Sequence, residues 1–117
     1  MTLFGGGDWG PYFGDTWTWN GSGWQELNPN LSPSARQSAR FVYDSARSVL
    51  ILFGGGAGNS QQFTNDHWEW NGTTWSQTKV GSEWPTARCC YAFAYDIKRS
   101  VSVLFGGTDK ATWTYGP

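Results

Sequence analysis

The 117-residue chain contains 16 Gly, 9 Trp, 7 Phe and 5 Tyr but a single Met. That composition suits one small all-β domain of short strands and tight turns rather than long helices. Its 8 basic and 9 acidic residues are scattered singly and leave a net charge of −1, which lacks the positive field a phosphate backbone demands and argues against a nucleic-acid partner. No stretch approaches the roughly 20 apolar residues of a membrane-spanning helix, and MTLFGGGDWG at the start lacks the basic and apolar regions of a secretory signal.

In chain order, the first expected strand is an apolar run ending in LFGGG at 3–7, followed by the loop DWGPYFG at 8–14. DTWTWNGSGW at 15–24 reads as a hairpin: Trp17 and Trp19 share a face by strand alternation, and Asn20-Gly21 offers the positive φ pair of a type I′ turn before Trp24 opens the next strand. PSAR at 33–36 leads into a strand ending FVYD, and Asp44 opens a polar turn by bonding its own backbone. SVLILFGGG at 48–56 then runs apolar without a polar break, so both faces of that strand require cover. After the loop AGNSQQFTN at 57–65, DHWEWNGTTW at 66–75 repeats the tryptophan hairpin with Asn71-Gly72 at its tip. PTARCCYAFAYDIKRSVSVLFGG at 85–107 repeats 33–55 with 13 of 23 positions identical, and TDKA leads into a last strand, ATWTYGP.

A period of about 50 residues, with four short antiparallel strands per unit and a second strand apolar on both faces, is the pattern of propeller blades covering one another. The LFGG doublet, the D-x-W-x-W-N-G-x-x-W segment and the P-x-A-R … Y-D … R-S-V approach resemble the Kelch repeat in its tryptophan-rich bacterial form. The resemblance implies a Kelch-type β-propeller whose rings usually hold six or seven blades. On that reading 1–31 is a partial blade, 32–80 a complete one and 81–117 another partial one, an incomplete ring per chain. Gly5, Gly6, Gly54, Gly55, Gly106, Gly107, Trp17, Trp19, Trp68, Trp70, Arg36 and Arg88 recur and are read as serving the repeat. The expected core is Phe4, Leu50, Leu52, Phe53, Leu104 and Phe105, with the four paired tryptophans packed between blades.

The inventory for catalysis is thin. His67 is the only histidine, follows Asp66 and stands where the previous repeat has Thr16, so an ordinary strand role is expected. The resemblance includes copper-radical oxidases, whose site needs two histidines and a modified tyrosine, which one histidine cannot reproduce. Cys89 and Cys90 are adjacent; neighbours in a strand point to opposite faces, which makes an ordinary disulfide between them geometrically poor, so both are expected as small buried strand residues, the alternatives being a vicinal disulfide or a reactive thiol. Asp15, Asp44, Asp66 and Asp96 recur and are assigned to structure, and GGGDWG and GGGAGN lack the Lys-Ser/Thr of a phosphate loop. No catalytic residue, metal site or cofactor is expected. Residues that break the repeat are better candidates for binding, and among them Trp9, Tyr12, Phe13 and Phe63 could stack a sugar or clasp a peptide. The expected role is a noncatalytic scaffold for a protein or glycan ligand; the alternatives are a carbohydrate-active or carbohydrate-binding propeller domain and a purely structural or engineered fragment. Bare apolar faces at both ends predict head-to-tail self-association into a dimer or trimer.

Overall fold

A computed structural model describes residues 1–8, 11–57, 62–78 and 81–116. Among these, the chain forms thirteen strands and no helix. The first three, β1 (Thr2–Gly6), β2 (Phe13–Trp19) and β3 (Trp24–Leu27), make an antiparallel sheet in the order β1-β2-β3. Next come β4 (Arg36–Gln37), β5 (Arg40–Asp44), β6 (Val49–Phe53), β7 (Gly56–Ala57) and β8 (Gln62–Phe63). They are followed by β9 (His67–Trp70), β10 (Trp75–Thr78), β11 (Ala92–Asp96), β12 (Val101–Phe105) and β13 (Thr112–Tyr115). Strands β5-β6-β9-β10 form a four-stranded second sheet and β11-β12-β13 a third, while β4-β7-β8 form a small sheet of their own.

Strand β6 has cover on both faces because the second sheet lies between the other two. Its register sets Leu50 opposite Trp70 and Leu52 opposite Trp68, and these side chains, with Trp75, pack on Phe4 and Leu27 of the first sheet. Alternation turns Phe53 the other way, into a second cluster with Tyr91, Leu104 and the flanking Trp84, Phe93 and Trp113. Polar contacts pin each junction. Trp75 stands edge-on to Phe4 and donates its indole N–H to Thr16 at 3.0 Å. On the other side, Tyr95 donates its hydroxyl to Asp44 at 2.6 Å, and the Tyr91 hydroxyl donates to the Phe53 carbonyl.

The turns divide between expected and unexpected forms. Asp44 accepts from the backbone N–H groups of Ala46 and Arg47, and Asp96 from that of Arg99, as the sequence predicts. The tryptophan hairpins are not two-residue type I′ turns. Trp19 pairs with Trp24 and Trp70 with Trp75, leaving four-residue loops in which the Asn20 side chain caps the N–H groups of Ser22 and Gly23, and Asn71 those of Thr73 and Thr74. Only Gly21 and Gly72 adopt positive φ there, so asparagine serves through its side-chain oxygen.

Three core expectations also need correction. Trp19 is 39% exposed and Phe105 50% exposed, because each stands on the outer face of an end sheet, and Trp17 is only half-buried on the same face as Trp19. Cys89 and Cys90 are not strand residues: they form a bend, half-buried and exposed respectively, with their sulfurs joined. Cys90 has φ 61°, and Ser38, its counterpart in the preceding repeat, has φ 58°. The bend therefore belongs to the repeat backbone and forms without sulfur.

Glycine is required where one sheet's end meets the next repeat. Gly54 has φ 57°, and a Cβ there would lie 2.9 Å from the Arg88 carbonyl oxygen; Gly5 has φ 62° and would meet the Arg36 carbonyl oxygen at 2.8 Å. Gly54→Ala should therefore cost more than about 1 kcal/mol of unfolding free energy. Gly72→Ala, with positive φ but nothing within 4 Å of the added carbon, should cost less. Urea unfolding of the two variants checks the order, and equal losses would show that the backbone contact is immaterial.

Candidate functional site

Two of the four aromatic candidates come together. Tyr12, just before β2, and Phe63, in β8, line a groove of about 230 Å3 together with Gln37, Ser38, Gly56 and Cys89. The small sheet positions them: Gln37 pairs with Gly56 and Gly56 with Phe63, carrying loop residues on a hydrogen-bonded frame. Gln37 donates from Nε2 to the Tyr12 hydroxyl at 2.9 Å, which ties the loop before β2 to that frame. Phe13 is exposed and pairs with Gly6, apart from the groove-lining set, and Trp9 lies outside the described residues. Gln37, Ser38 and Cys89 were missed by sequence reasoning. Their signal was present, since 37–40 and 89–92 differ while the flanking segments agree.

The recurring arginines Arg36 and Arg88 are buried and face inward. Arg36 is buried, and its guanidinium bonds Asp66 through both terminal nitrogens at 2.6 and 2.8 Å. It also reaches the Gly54 carbonyl at 3.0 Å, Thr64 at 3.1 Å, and both the carbonyl and hydroxyl of Ser34 at 3.0 Å. Arg88 repeats the arrangement on Gly106, Thr86 and Asp109. Asp66 additionally accepts the Trp68 indole N–H at 2.7 Å, and Asp15 accepts that of Trp17. Burial pushes the Asp66 carboxyl up, but its bonds from Arg36 and Trp68 together outweigh that and hold it below the ordinary 3.8.

Each recurring glycine, Gly5, Gly6, Gly54, Gly55, Gly106 and Gly107, has positive φ at the end of the strand it follows or closes. Trp68 and Trp70 are buried between the first and second sheets. The groove thus offers two aromatic side chains, an amide and small residues, a set that stacks and hydrogen-bonds. Among the described residues it brings no carboxylate pair and no nucleophile with a base. Among the described residues no group of three or more His, Cys, Asp or Glu side chains is placed to hold a metal ion. No family model and no curated protein matches the chain.

Proposed function

We propose that the chain is a noncatalytic repeat module of the Kelch β-propeller type, its three larger sheets acting as blades, which binds a protein or glycan ligand and associates head-to-tail with further copies toward a ring. One observation carries the reading. Leu3, Trp17, Trp19 and Trp24 on the outer face of the first sheet correspond, one repeat later, to Leu52, Trp68, Trp70 and Trp75, which are all buried against the first sheet. Leu3 and Trp24 are each 45% exposed.

The other end continues the same series. Phe4 and Phe53 each bury against the sheet that follows, and Phe105 comes next with no following sheet over it. The two bare faces are therefore the two halves of an interface that the molecule already forms twice within itself. A second copy, setting its first sheet on the third sheet of its neighbour, supplies matching partners, and apolar surface of this kind drives association. Because the faces differ, the contact is heterologous; it yields a ring where its rotation closes and filaments where it does not. The Tyr12–Phe63 groove supports the binding role, and its aromatic faces leave a glycan as one class of ligand.

Light scattering on the purified chain tests the assembly. Two or three times the chain mass of 13.0 kDa is expected at micromolar concentration, and Leu3→Glu with Trp24→Glu should return it to the monomer while leaving the β-sheet circular dichroism in place. A monodisperse wild-type monomer would remove the assembly from the proposal.

A further inference from the structure

A cavity of about 70 Å3 lies between the second and third sheets, lined by Phe53, His67, Trp84, Ser102, Trp113 and Tyr115 among others. Four buried polar atoms of its lining have no hydrogen-bond partner within the protein: both ring nitrogens of His67, the hydroxyl of Ser102 and the indole N–H of Trp113. The Trp84 indole and the Tyr115 hydroxyl donate outward, to the Asn65 carbonyl and to Glu69. His67 is 2% and Ser102 1% exposed. Unsatisfied groups at such depth each cost about 1–3 kcal/mol, and four of them on one cavity is a concentration that native cores avoid.

The corresponding place between the first and second sheets is satisfied. There Thr16 stands for His67 and accepts from Trp75, Leu50 stands for Ser102 and has no polar atom, and Trp68 stands for Trp113 and donates to Asp66. Trp113 lacks that acceptor because Ala111 occupies the place of Asp66, two residues ahead of the tryptophan. Three departures from the repeat therefore converge on one cavity, each either adding a polar group or withdrawing its partner.

The chemistry of the orphans selects the ligand. Trp113 only donates, neutral histidine donates from one nitrogen and accepts at the other, and serine does either, so the complement must both accept and donate. Burial pushes His67 down to about 4, which leaves it neutral at pH 7. The charges that act on it are engaged elsewhere, Arg47 with Glu69 at 2.9 Å and Asp66 with Arg36 at 2.6 Å, and the one carboxylate in the lining, Glu83, is exposed at the rim. The walls are aromatic, with His67 4.4 Å from the Tyr115 ring and 5.4 Å from Trp84 between centroids. A water takes about 10–15 Å3 on this scale, so the space suits about five to seven heavy atoms.

We propose that this cavity is a binding site for a small neutral polyol, or the hydroxyl-bearing tip of a larger one, held by His67, Ser102 and Trp113 against the aromatic walls. A hydroxyl accepts and donates at once, so two adjacent ones satisfy all three residues without bringing a charge into the core. The site lies within one chain and goes beyond the scaffold reading; it stands whether or not copies associate.

Titration of the full chain with glycerol, read at the Trp113 indole N–H resonance by nuclear magnetic resonance, tests the site. A saturable shift with a dissociation constant on the order of 1 mM is expected for a ligand of this size. Ser102→Leu restores the residue of the preceding repeat and fills the cavity, and Ala111→Asp gives Trp113 the acceptor that Trp68 has. Each should weaken binding about tenfold or more while the unfolding midpoint holds or rises. A shift that does not saturate by about 100 mM, or one unchanged in Ser102→Leu, would mean that the cavity takes ordered water only and would overturn the proposal.

Discussion

Replacing Phe53 with alanine is expected to lower the unfolding free energy by about 3–5 kcal/mol, the range for a fully buried phenylalanine. The side chain is 2% exposed and meets Tyr91 edge-on at 5.7 Å and Trp84 at 6.4 Å, so its loss opens a void bounded by rings that cannot collapse without leaving their own contacts. The same strand alternation places it between two sheets whose junction also includes the bond from Tyr91 to the Phe53 carbonyl. Phe105→Ala removes the corresponding residue of the next repeat, which is 50% exposed, and should cost the monomer within about 1 kcal/mol. Urea denaturation at concentrations below association measures both. A loss under about 1 kcal/mol at Phe53 would show that the junction between the second and third sheets holds without it.

The contrast between Phe53 and Phe105 shows what was legible in the sequence. An apolar run without alternation required two covered faces, and β6 has them; recurrence of its neighbours located the turns, the hairpins and the arginines. Recurrence could not say which copies are covered. Trp19 and Phe105 share every local signal with Trp70 and Phe53, and differ only in whether another sheet lies over them. The small sheet was hidden for a different reason. Strands β4, β7 and β8 are two residues long and pair across segments with no periodic pattern, so Gly56 between Gln37 and Phe63 could be found only in three dimensions. The cavity was half legible. His67 stood out as a break in the repeat, but Ser102 in place of Leu50 and Ala111 in place of Asp66 lie in or beside strands, where a change between apolar and polar in either direction reads as ordinary variation until the partner atoms are counted.

Arg36→Ala should be as damaging as the loss of Phe53, for an electrostatic reason. The guanidinium is buried with all its donors engaged, and Asp66 opposite it is only 22% exposed at the side chain. Removing one member of a buried pair leaves the other charge without compensation, a loss of about 3–5 kcal/mol. It would also strip partners from the carbonyl of Gly54, at the turn from β6 into the small sheet, and from that of Ser34, just ahead of β4. Arg88→Ala should cost less, since its partner Asp109 is 45% exposed and regains water. The pair also fixes a sign for pH. Asp66 has its carboxyl held below the ordinary 3.8, so its share of stability is complete above that value and is lost as pH falls through the lower folded-state value. Asp44 and Asp109 are lowered too and add to the same acid limb. Asp66→Asn should therefore lower stability at pH 7 and flatten the decline of stability with acid, so that wild type and variant converge toward pH 2 as the wild-type carboxyl takes up its proton. Urea midpoints measured from pH 7 down to pH 2 give the comparison. Parallel curves would place the acid sensitivity elsewhere and reduce the Arg36–Asp66 pair to a neutral contact.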